Sequence, residues 1–183
     1  MGIKTTKLNR SFRSFIESQP VFFVATAAET GRVNMSPKGL DALRILSDTE
    51  ILWLSVSGSG NETAAHVRQL PRMTLMFCAF TGDALILRVY GTAQAFHAHD
   101  PEWADLLARF PNYAGARNIY RLSIDLVTTS CGTGVPEMEI IRPRAETELE
   151  PWYAEMTPEQ MHAFWKKKNT TSLDGQPTGL FPE

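Results

Sequence analysis

The sequence predicts a mainly β chain of the α+β class, with six antiparallel strands forming a small barrel and short helices between some of them. Three observations carry the prediction. Runs rich in aromatic, aliphatic and β-branched residues recur, such as PVFFVATA, ILWLSV and RMTLMFCAF. Several are joined by short Gly-containing turns, ETGR and TGD among them. Helical spacing of apolar residues is confined to short segments that do not alternate regularly with the strands.

In chain order, Phe12, Phe15 and Ile16 fall at helical spacing between Asn9 and Ser18, so a short amphipathic helix opens the fold. PVFFVATA and VNMSPKG pair as a hairpin across ETGR, where Gly31 can take a positive φ, and the second strand stops where Pro37 removes a donor. ILWLSV is the third strand, and NETAAHVRQL is a short helix ended by Pro71. RMTLMFCAF and ALILRVYGTAQAF follow as two longer strands. HDPEWADLLARF has Asp100 as N-cap, Pro101 at the first helical position, and Trp103, Leu106, Leu107 and Phe110 on one face. NIYRLSIDLVTT is the last strand and runs into the turn SCGTGVPEM, which holds Cys131. A helical and irregular extension occupies residues 142–183, with Thr157 and Gln160 spaced as a capping box.

With 183 residues, 43% of them hydrophobic, the chain can bury one core, and residues 1–183 read as a single domain. A net charge of −2 provides no basic field for nucleic acid. WKKKN reads as a helix end whose lysines complement the dipole. The first residues show no apolar leader and no run reaches membrane-spanning length, so the expectation is a cytoplasmic protein with no membrane partner. Two cysteines, Cys78 and Cys131, form no disulfide framework.

Two stretches carry candidate chemistry. In SGSGNETAAH, residues 57–66, two glycines let backbone N–H groups approach an anion, and the helix that follows presents unpaired N–H groups at its positive end. Ser57, Ser59, Thr63, Asn61, Arg68 and Arg72 could add donors; an ordinary strand-to-helix turn with its own cap is the alternative. In NMSPKG, strand alternation puts Asn34, Ser36 and Lys38 on one face and Val33, Met35 and Pro37 on the other, leaving a binding face or a solvent-facing edge. Arg88, between Leu87 and Val89, must be paired, exposed or bound to an anion. His97 and His99 share a strand face without a third ligand at metal spacing, so no metal site is expected.

Taken together, FFVATAAETGRVNMSPKG, SGSGNETAAHVRQLPRMTLMF, LRVYGTAQ and SCGTGVP resemble the pyridoxamine 5′-phosphate oxidase-like family of FMN-binding split barrels, in matched order over most of the chain. The resemblance implies a homodimer with FMN at the subunit interface. It implies that the phosphate lies at Ser57, Asn61, Glu62 and Thr63, with Glu62 offering its N–H. The ribityl chain and rings would lie along Asn34, Met35, Ser36, Pro37 and Lys38, with Lys38 the leading cation and Arg72 and Arg88 secondary ones. Cys131, Gly132, Asn169 and Asp174, in the turn and the tail, are substrate-side candidates. The implied activity is an oxidoreductase acting on a small molecule, with a non-catalytic flavin- or haem-binding module as the alternative. The tail lacks the Arg-x-His element that true pyridoxamine phosphate oxidases share, so the vitamin B6 reaction is not expected.

Overall fold

The computed structural model describes residues 2–182. Eight strands build one sheet: β1 (Lys4–Thr5), β2 (Phe22–Thr26), β3 (Asn34–Lys38), β4 (Leu43–Ser47), β5 (Glu50–Val56), β6 (Arg72–Cys78), β7 (Leu85–Phe96) and β8 (Ala116–Cys131). Their order is β3-β2-β6-β7-β8-β5-β4, with β1 paired to β8, and every pairing is antiparallel. The expected six strands are therefore eight. The additional ones are β1, only two residues long, and β4, LRILS, which pairs with β5 across the short turn at Asp48 and Thr49. The pairing path leaves β3 and β4 at its two ends.

Five α-helices accompany the sheet: α1 (Arg10–Ser18), α2 (Glu62–Gln69), α3 (Trp103–Leu107), α4 (Glu150–Ala154) and α5 (Pro158–Lys168), with a π-helical turn (Ala145–Leu149) leading into α4. Asn9 caps α1, its side chain accepting from the Phe12 N–H at 2.8 Å. Both halves of the Thr157/Gln160 capping box form at α5. The third helix differs from expectation. It starts at Trp103, and Asp100 is not its cap, because the Asp100 carboxylate accepts from the His97 N–H at 2.7 Å and closes the preceding turn. Cys131 likewise is the exposed last residue of β8 rather than part of a turn. Among the described residues no helix is long and apolar enough to cross a membrane.

β5 explains how the sheet carries two cores. Its residues alternate by face, so Ile51 and Trp53 enter one core while Leu52 and Leu54 enter the other, and all four are buried. The larger core joins Phe22, Val24, Leu75, Phe77, Leu87, Val89 and Leu122 to Phe12 and Ile16 of α1 and to Ala64 and Val67 of α2. At its centre the Trp53 ring stacks on Tyr120 with centroids 4.4 Å apart. The smaller core packs Leu106 and Phe110 against Phe96 and Ile119. A strand covered on both faces reads as an unbroken apolar run, as ILWLSV does.

β7 and β8 form the longest pairing, and its register shifts between Tyr90 and Gly91. A Cβ at Gly91 would stand 2.0 Å from the Ser123 carbonyl oxygen, so only glycine allows this approach. Gly91→Ala is expected to lower stability by more than about 2 kcal/mol, seen as a lower urea midpoint at unchanged slope.

Candidate functional site

A cleft of about 1400 Å³ opens between β3, the loop after β5, the start of β8 and the C-terminal extension. β3 contributes Asn34, Ser36 and Lys38 to it, and all three are partly buried, while Met35 points outward with 67% of its surface exposed. The alternation read from NMSPKG therefore gives these three side chains one face, and that face lines the cleft. Pro37 also lines it.

The opposite wall is the loop at residues 57–61 and the first turn of α2. Two of its carbonyls are tied down: Asn169 Nδ2 donates to Gly58 O at 2.9 Å and Arg117 Nη1 to Gly60 O at 2.9 Å. Ser57 N–H and its hydroxyl both donate to Gly115 O, each at 2.8 Å. Beyond Ser57 the pattern reverses. From Gly58 to Thr63 no backbone N–H donates to a protein acceptor among the described residues, and Asn61, the N-cap of α2, makes no side-chain cap. A run of unused amides ending at a helix N-terminus is an anion-binding surface.

The side chains of this loop have other duties. Ser57 Oγ also accepts from Trp165 Nε1 at 2.6 Å. Asn61 is buried, and its Nδ2 donates to the Asn169 carbonyl at 3.3 Å. Its Oδ1 therefore accepts from Asn118 Nδ2 at 2.6 Å, Asn118 Nδ2 also reaches the Tyr120 hydroxyl at 3.0 Å, and Asn118 Oδ1 is left to accept from His97 Nδ1 at 3.0 Å. Because one end of the chain is a carbonyl that can only accept, the order of donors is determined, and His97 carries its proton on Nδ1. Burial holds the His97 pKa below the ordinary histidine value, so this ring stays neutral. Thr63 Oγ1 accepts from Asn34 Nδ2 at 3.1 Å, which links the two walls.

Five cationic side chains line the cleft, Lys38, Arg117, Arg142, Arg144 and Lys168, together with five carboxylates, and Lys38 and Arg117 are the two beside β3 and the loop. Burial, with repulsion from Arg117 second, pulls the Lys38 pKa down to about 8, and the Lys38 ammonium lies 5.6 Å from the centre of the Trp53 ring. Arg117 is 5% exposed, and burial lowers its pKa as well. Neither Lys38 nor Arg117 has a carboxylate partner among the described residues, and three buried wall atoms, Ser36 Oγ, Arg117 Nε and Glu150 Oε1, have no hydrogen-bond partner. Burial also raises the pKa of the neighbouring tyrosines, Tyr120 to about 12 and Tyr153 upward.

Other sequence candidates lie outside the cleft. Arg72 is exposed at the start of β6, and Arg88 donates to Ser130 Oγ at 3.0 Å. Gly132 packs against β7, where a Cβ would meet Leu85 N at 2.7 Å, and Cys131 beside it does not line the cleft. Asn169 is wholly buried under the loop, and the Asp174 carboxylate pairs with Arg32 and accepts the Arg32 N–H at 2.8 Å. Neither side chain faces the cleft opening. His97 and His99 stack at 5.5 Å, and no group of three metal-ligating side chains forms among the described residues. Arg117, Asn118 and Trp165 were not foreseen. The one signal for the first two was a polar pair at the head of the apolar strand NIYRLSI.

An antiparallel sheet with an amide-lined cleft beside α2 defines the class of fold, a mainly β protein, and comparison with known proteins gives its family. The family model described as pyridoxamine 5′-phosphate oxidase matches residues 8–131. The pyridoxamine 5′-phosphate oxidase family protein ustO of Aspergillus flavus is 33% identical over 193 residues, which cover 97% of this chain and 78% of that protein. This chain belongs to the pyridoxamine 5′-phosphate oxidase family. Solved structures share its fold at lower identity. A provisionally assigned pyridoxamine 5′-phosphate oxidase of Lactobacillus delbrueckii aligns with a TM-score of 0.54 and 20% identity, over 67% of this chain and 94% of that one. An FMN-binding protein of Syntrophomonas wolfei aligns with a TM-score of 0.50 and 15% identity, over 71% and 85%.

The depressed Lys38 pKa has a consequence for stability. Folded Lys38 releases its proton near pH 8, whereas an unfolded lysine keeps it to about 10.5. Between those values the unfolded state binds more protons, so stability from this group rises with pH, by up to about 3 kcal/mol before solvent screening. The ligand-free protein is expected to gain melting temperature over that window relative to Lys38→Met, measured by calorimetry in matched buffers.

Proposed function

We propose that this chain binds FMN in the cleft and serves as an oxidoreductase acting on a small molecule. The observation that carries the reading is the run of unused N–H groups from Gly58 to Thr63, on a cleft also lined by two cations without a carboxylate partner, Lys38 and Arg117. A buried cation and a partly buried one of like sign are costly together and are stabilised by an anion of more than one charge, as a phosphate monoester is. The family membership and the FMN bound by the Syntrophomonas wolfei protein of the same fold support the same ligand.

On this reading the phosphate takes the N–H groups of Gly58 to Thr63, with the Thr63 hydroxyl and Arg117 as further donors. The rings and their ribityl chain lie along Asn34, Ser36, Pro37 and Lys38, and Met35 contributes only main chain. Ser57 and Asn61 shape the loop without offering side chains, and Glu62 offers its N–H. Arg72 and Arg88 drop out of the set within one subunit. When bound, FMN supplies hydride or electron transfer, while the protein orients it, excludes water and sets the charge around it. The cleft exceeds a single ligand pocket of ordinary size, about 300–1000 Å³, which leaves room for a substrate.

FMN added to the purified protein is expected to shift its visible absorbance and raise its melting temperature. An unchanged spectrum with no thermal shift would remove the reading. Anaerobic reduction of the bound flavin by NADPH or NADH tests turnover. Because a bound dianion restores the proton on Lys38, the FMN dissociation constant should rise with pH above 8, by up to about tenfold per unit, and stay flat in Lys38→Met.

The same reading makes the protein a homodimer. Val33 and Met35, 75% and 67% exposed, put apolar side chains on the outer face of the end strand β3. Light scattering should give twice the 20.5 kDa chain mass, and Met35→Glu should reduce it to one.

A further inference from the structure

The family model ends at residue 131, yet the loop that carries the unused amides is held from beyond it. Trp165, in α5, donates to Ser57 Oγ at 2.6 Å. Asn169, just past α5 and wholly buried, donates to Gly58 O at 2.9 Å and accepts from Asn61 Nδ2 at 3.3 Å through its own carbonyl. The Leu173 N–H is 3.0 Å from each oxygen of the Glu62 carboxylate. Three residues within the span 165–173 thus reach Ser57, Gly58, Asn61 and Glu62.

These contacts do two separate things. Donors placed on Gly58 O, together with Arg117 on Gly60 O, commit the carbonyls of the loop and leave its N–H groups as the unused partners. The second effect is electrostatic: Glu62 sits at the first position of α2, where a free carboxylate would repel a phosphate, and the Leu173 amide holds that charge instead. The strap is itself anchored, since Thr178 Oγ1 donates to the Asn169 carbonyl at 2.7 Å and Asp174 pairs with Arg32 in the β2–β3 turn.

We propose that residues 165–173 are a clamp that presets the anion loop, with Asn169 and Trp165 as positioning residues for the phosphate rather than substrate contacts. The proposal rests on the reading of this loop as a phosphate site. It separates phosphate from ring binding: loosening the clamp should weaken a ligand in proportion to its dependence on the phosphate.

The test compares full-length wild type, Asn169→Ala and Trp165→Phe. Dissociation constants are measured for FMN and for riboflavin, which has the same rings without the phosphate, and backbone order parameters are measured by ¹⁵N relaxation on the ligand-free proteins. Asn169→Ala is expected to raise the FMN constant at least tenfold and the riboflavin constant less than twofold, with lower order parameters from Gly58 to Thr63 and none lowered in β7 or β8. Trp165→Phe, which removes a single N–H and keeps an aromatic ring, should show the same pattern in smaller degree and serves if Asn169→Ala does not fold. Equal loss for both ligands, or unchanged order parameters in the loop, overturns the clamp. If wild type binds neither flavin, the FMN reading falls, and the order parameters still decide the clamp.

Discussion

The cleft depends on a buried chain of hydrogen bonds that runs from the Asn169 carbonyl through Asn61 and Asn118 to His97. A loop with two glycines in five residues has little conformation of its own, so whatever shape it holds must come from partners. Here each link has one permitted direction, because the chain starts at an atom that can only accept. Reversing any amide would leave a buried donor facing a donor, at a cost of about 1–3 kcal/mol. The loop is therefore held in one arrangement without a single residue of regular structure between β5 and α2.

That arrangement also puts positive partial charge on the surface of the loop. Tying the carbonyls of Gly58 and Gly60 to Asn169 and Arg117 leaves amide hydrogens as the exposed partners, and the unpaired end of α2 adds to them. Lys38 and Arg117 then line the same space without a carboxylate partner among the described residues. Burial first, and repulsion from Arg117 second, lower the Lys38 pKa. A protein holding such a pair stores unfavourable electrostatic free energy that an anionic ligand relieves, so the same contacts that weaken the ligand-free fold strengthen the complex.

Much of this was legible in the residues, and the failures have physical causes. The inward face of β3 could be read because strand alternation is a local rule: Asn34, Ser36 and Lys38 must share a side wherever the strand lies. β5 could be read from its continuous apolar run. β4 was missed because LRILS shows little alternation and sits beside a turn too short to announce a hairpin. Arg117 was missed because it stands 57 residues from Gly60, whose carbonyl it holds, and nothing in the spacing of the chain joins them. Arg72 and Arg88 were nearer in sequence, yet β6 and β7 carry them away from the cleft.

The sequence by itself determined the elements with local causes: the capped helices, the strand faces, the glycine-rich loop before α2 and the placing of that loop at the mouth of a helix. Only the tertiary structure decided which cations line the cleft, which loop carbonyls are already bonded, and that Trp165, Asn169 and Leu173 bond the loop and the start of α2. The reason is range. Backbone periodicity and caps act within a few residues, whereas the partners of a buried polar atom are chosen by packing that brings together β8, α2 and the tail.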